Sequence, residues 1–264
     1  MAIQTGAIKY RGSFKSIRNY MNLHDPNTYA GEKGGANRDL IMNNPAFART
    51  RENMNEFSGC GAAVKAIRLG LQNLLPEQTD KLFTSRLMKV VKEINRRDPV
   101  GVHGKRDIIF SAERPFFSTL VFSKLQNISD LLEKQLEWEH PITRDSAKIT
   151  LTALTIKPVR IPKGATHYRV QNHLNIISDY VYSEANRRYE PMTMLNALSA
   201  FEYSAYTPVD TALTDEIDVA FPLGTLPGIE DTVIQSVGIE FFMKSGATGY
   251  LPLKGSSMKI IDVF

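Results

Sequence analysis

The stretch THYRVQNHLNIISDYVYS, residues 166–183, decides the fold class. It is dense in β-branched and aromatic residues and has no 3.6-residue apolar period, so it reads as a long extended run. Similar runs surround it: ITLTALTI (149–156), FEYSAY (201–206), EIDVAF (216–221), TVIQSVGIEFFM (232–243), GYLPL (249–253) and MKIIDVF (258–264). The segments PKG, TPVD, LGTLPG and KSGATG between them have the composition of turns. Short strands at this spacing predict an antiparallel β-sandwich over residues 135–264 with Greek-key-like connections, a barrel being the lesser alternative.

Upstream the period changes. Asn44 is a good N-cap and Pro45 suits a first helical position. Phe47, Met54, Phe57, Gly61, Val64, Ile67, Leu71 and Leu74 follow at helical steps, predicting one apolar stripe on a helix over 45–75, about 45 Å long. Within it SGCGAA (58–63) has glycines at 59 and 61, which read as a point where another backbone packs closely. Pro76 ends the helix, and a second is predicted over 79–97 with Leu82, Leu87, Val90, Val91 and Ile94 inward. The turn-rich loop VGVHGKRD follows, completing a basic helical hairpin over 45–110. Residues 111–134 form a connecting segment whose type the pattern leaves open. Residues 1–44 show no period and scatter Tyr10, Phe14, Tyr20 and Tyr29 among glycines, so they read as an extended arm. The expected class is therefore α+β.

Charge is asymmetric. The net +4 divides into +8 over residues 1–110 and −4 over 111–264, a balance that suits nucleic acid or head-to-tail contact between copies. With 42% hydrophobic and 23% charged residues the composition is globular. No apolar run has the length of a bilayer span, so membrane insertion is not expected. The basic N-terminus lacks a secretory pattern, which implies cytoplasmic synthesis. Cys60 is the single cysteine, so no internal disulfide framework exists.

The motifs that carry common chemistries are not in evidence. GEKGG (31–35) lacks phosphate-loop spacing and lies ten residues before Pro45. His167 and His173 fall six residues apart, about 20 Å along a regular strand, and His24, His103 and His140 are isolated. Each imidazole is expected at the surface or partly buried. Cys60 reads as a packing residue. The acids Asp215, Glu216 and Asp218, and the pair Glu230 and Asp231, read as solvated rim. No catalytic residue, metal site, cofactor or small-molecule substrate is expected. The basic residues Arg68, Lys89, Lys92, Arg96, Arg97, Lys105 and Arg106 make up the nucleic-acid alternative. Tyr180, Tyr182, Tyr203 and Tyr206 make up a carbohydrate-binding one.

EKGGANRDLIMNNPAFARTRENMNEF, with the later IPKGATHYRV and GIEFFMKSGATGYLPLKGSSMKIIDV, resembles an uncharacterised family of proteins from bacteria of the phylum Bacteroidota. The resemblance covers the chain from about residue 31 to its end. It implies a bacterial or phage source and brings no activity, cofactor or site residue with it. The expected function is a structural protein that self-assembles into a filament, tube or shell with copies of itself. Tyr10, Phe14, Tyr20, Tyr29, Arg49, Arg51, Glu52, Gly59 and Gly61 are the expected contact residues.

Overall fold

A computed structural model describes residues 2–21, 25–71, 78–124, 128–131 and 136–264. His24, Leu74 and Pro76, each given a role above, lie outside the described residues, as do 125–127 and 132–135 of the connecting segment. The chain is α+β, with helices and antiparallel sheets. It divides into two compact units, residues 1–51 and 52–264.

The first unit corrects the reading of residues 1–44 as an extended arm. Strands β1 (Ala2–Ile3), β2 (Gly12–Phe14), β3 (Ile17–Met21) and β4 (Thr28–Glu32) form an antiparallel sheet in the order β1-β4-β3-β2. Strands this short cannot display a period of two, which is why the pattern looked structureless. Helix α1 (Arg38–Asn43) follows, its N-cap Asn37 accepting from Leu40 N at 2.7 Å. Asn44 and Pro45 take the N-cap and first positions as read, but of a 3-10 turn (Pro45–Phe47) that leads into helix α2 (Ala48–Gly70).

In the second unit α2 buries Glu56, Gly59, Cys60, Ala63, Val64, Ala66, Ile67 and Gly70. The expected stripe holds in the second half of the helix, where Val64, Ile67 and then Leu71 are buried, and fails in the first, where Met54 and Phe57 are 51% and 58% exposed. The buried face is built from small residues, which a search for large apolar side chains misses. Helix α3 (Phe83–Arg96) buries Leu87, Val90, Val91 and Ile94 as expected, together with Phe83 and Asn95, while Leu82 stays exposed. The connecting segment contributes a 3-10 turn (Arg114–Thr119) and a short helix, α4 (Ile128–Leu131). Its Phe117 and Phe122 stack on Phe110 and Phe83 respectively.

The remaining strands are β5 (Glu137–Glu139), β6 (Ser146–Leu154), β7 (His167–Ser178), β8 (Tyr180–Ser183), β9 (Arg188–Pro191), β10 (Ser199–Tyr203), β11 (Thr207–Pro208), β12 (Leu213–Ala220), β13 (Asp231–Ser245) and β14 (Gly249–Val263). They pair as β10-β7-β13-β14, with β11 also on β7, as β12-β6-β5, and as β8-β9. The stretch 166–183 is thus two strands in different sheets. The buried Asp179 marks the break, accepting from Ser111 N at 2.9 Å and Ser111 Oγ at 2.5 Å.

Both faces of β7 are covered. Tyr168, Val170, Leu174 and Ile176 share hydrophobic clusters with Ile149, Ile217 and Val219 of β6 and β12. On that face Asn172 Nδ2 donates to Ala147 O at 3.1 Å and Ile217 O at 2.9 Å. On the other, His173 Nε2 donates to Gly70 O at 2.9 Å and Asn175 Nδ2 to Ile67 O at 3.2 Å, satisfying carbonyls that end α2. Gly70 permits this approach, since a Cβ there would lie 2.1 Å from Asn175 Oδ1.

Candidate assembly surfaces

The basic loop after α3 is organised from a single buried carboxylate. Glu56 is fully buried on α2, where Arg106 Nε and Nη2 donate to its two oxygens at 2.7 and 2.8 Å, Lys92 Nζ at 2.5 Å and Gly104 N at 2.8 Å. Burial opposes ionisation, but the Arg106 and Lys92 hydrogen bonds outweigh it and hold the carboxyl down to about 2. Asn95 accepts from Lys92 Nζ at 2.9 Å and donates to Arg106 O at 2.6 Å, while Asp98 accepts from the Val100, Gly101 and Asp107 amides. Asn55 Nδ2 reaches Gly104 O at 2.5 Å and His103 Nδ1 pairs with Glu52 at 3.0 Å.

This arrangement redistributes the cations that the sequence suggests for nucleic acid. Lys92 and Arg106 are bound to Glu56. Lys105 pairs with Glu184 at 2.5 Å and lies over the Tyr182 ring, Arg97 sits 4.5 Å over the Phe116 ring, and Arg96 faces Glu93 at 3.6 Å. Arg68 and Lys89 remain exposed on α2 and α3. Of the seven, Lys92 and Arg106 are thus held at the buried Glu56, while Arg68 and Lys89 face solvent.

Gly59 and Gly61 also separate. A Cβ at Gly59 would meet the Tyr189 ring at 2.4 Å, whereas one at Gly61 finds only Met88 Cε at 4.0 Å. The close contact is therefore at Gly59 alone, and its neighbour is a side chain from β9 rather than a helix backbone. Cys60 is buried, and burial pushes its thiol up to about 11. His173 is fully buried rather than at the surface, its imidazole pushed down to about 4 by desolvation.

In the first unit Arg51 turns inward: its Nη1 donates to Ile41 O at 2.6 Å and Asn44 O at 2.9 Å, closing the end of α1. Arg49 is exposed. Tyr20 and Tyr29 stack across β3 and β4 at 5.9 Å, with Arg18 5.4 Å over the Tyr20 ring. Tyr29 Oη also donates to Asp25. Ile8, Tyr10 and Phe14 are 72%, 66% and 69% exposed. No residue of this unit belongs to any of the three hydrophobic clusters among the described residues. Eight Lys and Arg against three Asp and Glu make residues 1–51 net +5.

Two surfaces of the second unit escaped the sequence reading. The outward face of β5, β6 and β12 sets Glu137 and Glu216 opposite Thr150, and Glu139 and Asp218 opposite Lys148. A cavity of about 370 Å³ opens there, lined by Glu139, His140, Lys148 and Asp218 among others. The acids at 215–218 were visible as a cluster, but the β5 acids join them only through strand register. Loops at the end of the same strands carry Ile142, Leu223, Leu226 and Ile229 at 99%, 106%, 64% and 80% exposure, and the loop after β9 carries Met194 at 99%. LGTLPG reads as a turn, and its aliphatic content was the available signal.

The tyrosines of the carbohydrate reading are already engaged. Tyr180 is buried and Tyr182 packs edge-on against Tyr189. Arg169 lies 3.7 Å over Tyr203, and Tyr206 stacks on Tyr250 at 3.9 Å. Among the described residues no group of three or more His, Cys, Asp or Glu is placed to hold a metal ion, and no helix is long and apolar enough to cross a membrane. No protein-family model matches the sequence, and comparisons with curated proteins and with solved structures find no match.

Proposed function

We propose that this chain is a non-enzymatic structural protein that assembles with copies of itself into a filament, tube or shell. The first unit and the helices make the contacts, and a β-sandwich with Greek-key-like connections, centred on β7 and β13 opposite β6 and β12, forms the body. One observation carries the reading: among its described residues the first unit has regular strands but no member of a hydrophobic cluster, and it leaves Ile8, Tyr10 and Phe14 exposed. A small sheet of strands two to five residues long needs a covered apolar face to be stable in water. A neighbouring copy supplies that cover without requiring any other molecule. On the second unit, Met54 and Phe57 are exposed one turn apart on α2 and offer a further apolar contact.

The test is light scattering with negative-stain microscopy of the full chain and of a version lacking residues 1–44. Large regular particles from the full chain, absent after truncation, are expected. A monomer in both cases overturns the proposal. If that monomer also binds DNA or RNA in a salt-sensitive manner that Arg68→Glu and Lys89→Glu abolish, nucleic-acid association replaces it.

A further inference from the structure

We infer that the assembly contact is head-to-tail: the basic, aromatic segment 8–15 of one copy's first unit receives the aliphatic loop tip and acidic strand face of the next copy's second unit. The inference rests on the self-assembly reading and adds to it the two surfaces and the symmetry class.

The tip is a built structure. Arg144 threads its guanidinium into it, Nη1 donating to Asp231 O at 3.0 Å and Nη2 to Pro227 O at 3.0 Å and to Gly228 O. Asp231 closes the network, accepting from Gly228 N at 2.8 Å and from Thr193 Oγ1 at 2.6 Å. Three loops are thereby tied together: the one before β6, the one after β9 and the one between β12 and β13. Each presents large aliphatic side chains to solvent, namely Ile142, Met194, and Leu223 with Leu226 and Ile229. Scattered exposed aliphatics are ordinary, but five on mutually anchored loops make an apolar prominence of the kind that marks an interaction site. Its anchoring limits the ordering entropy that docking costs.

The occupant is argued from charge. Beside the tip, Glu137, Glu139, Glu216 and Asp218 flank Lys148, which pairs with Glu139 and Glu216. The first unit carries the opposite pattern, with Ile8, Tyr10 and Phe14 interleaved with Lys9, Arg11 and Lys15, all exposed. Apolar surface flanked by acids thus meets apolar surface flanked by bases, the arrangement that selects a partner and fixes its register. The two patches are different surfaces of the same chain, so the contact is heterologous: it closes as a ring of two or more copies or runs on as an open filament.

Two variants test this, one with Leu223→Asp and Leu226→Asp at the tip, the other with Tyr10→Glu and Phe14→Glu in the first unit. Wild-type protein is expected to form particles that grow with concentration and shrink as salt rises from about 0.05 to 0.5 M, with apparent affinity falling about tenfold. Each variant alone is expected to be a folded monomer. Mixed one to one, they are expected to form a species of two chains and nothing larger, because one intact tip meets one intact segment 8–15. Dimer formation also proves both variants folded. Polymerisation of either variant alone, or a monomeric mixture of two chains with native circular dichroism, overturns the head-to-tail contact while leaving self-assembly standing. A monomeric wild type overturns both.

Discussion

Gly59 and Gly61 sit two positions apart on one helix and face opposite demands. A methyl group at Gly59 runs into the Tyr189 ring, while at Gly61 it makes only an ordinary contact with Met88 Cε. Gly59→Ala is therefore expected to destabilise the fold by about 2 kcal/mol through overpacking, despite the better helix propensity of alanine. Gly61→Ala is expected to stabilise it by about 0.5–1 kcal/mol. Urea unfolding of the two variants measures both signs. Glu56 makes the converse case, a buried charge whose partners hold it ionised. Glu56→Gln leaves Lys92 and Arg106 without a counter-charge at a cost on the order of 3 kcal/mol. Because the folded carboxyl titrates at about 2 against an ordinary 4.5, its stabilisation is complete above pH 4.5 and is lost as pH falls from there toward 2. The Glu56→Gln variant should lose that slope, which acid titration of circular dichroism detects.

At the scale of elements, β7 and the end of α2 complete one another. Helix carbonyls at Ile67 and Gly70 would be orphaned on an apolar sheet, so β7 presents Asn175 and His173 there. Burial, not this hydrogen bond, keeps His173 neutral. Its flanking side chains, Gln171, Asn175 and, across on β13, Ser236, carry no charge, and its depressed value arises from burial against the single opposing hydrogen bond to Gly70. The folded value near 4 lies below the ordinary 6.5, so the unfolded chain takes up the proton first as pH falls. His173 thus contributes stability that is full above pH 6.5 and is lost between there and 4, about 3 kcal/mol in all. Unfolding free energies at pH 7 and 5, compared with those of His173→Gln, should show that the variant is less pH-dependent. This window lies above that of Glu56, so the two contributions separate.

For the whole molecule, every hydrophobic cluster among the described residues begins at or after Cys60. Removing residues 1–44 should accordingly leave a cooperative thermal transition within a few degrees of the full chain at concentrations below assembly, while abolishing particles. A calorimetric scan of both forms measures this. A truncated chain that loses its cooperative transition would place part of the folding energy in the first unit.

The α+β class, the alternating runs from 149 onward, the N-cap at Asn44 and the inward face of α3 were all legible in the sequence, because each depends on residues within a turn or a strand of one another. The sheet of the first unit was not, since strands of two to five residues carry no period. Nor was the small-residue part of the buried face of α2, where Gly59 and Gly70 admit the close approach of Tyr189 and Asn175. The loop tip and acidic face were beyond reach for a related reason. Arg144 meets residues more than eighty positions away, and the β5 acids join those of β12 only across β6. Local pattern determined which segments are helix or strand; burial, pairing and the grouping of charges were decided by contacts between distant residues, which only the tertiary structure specifies.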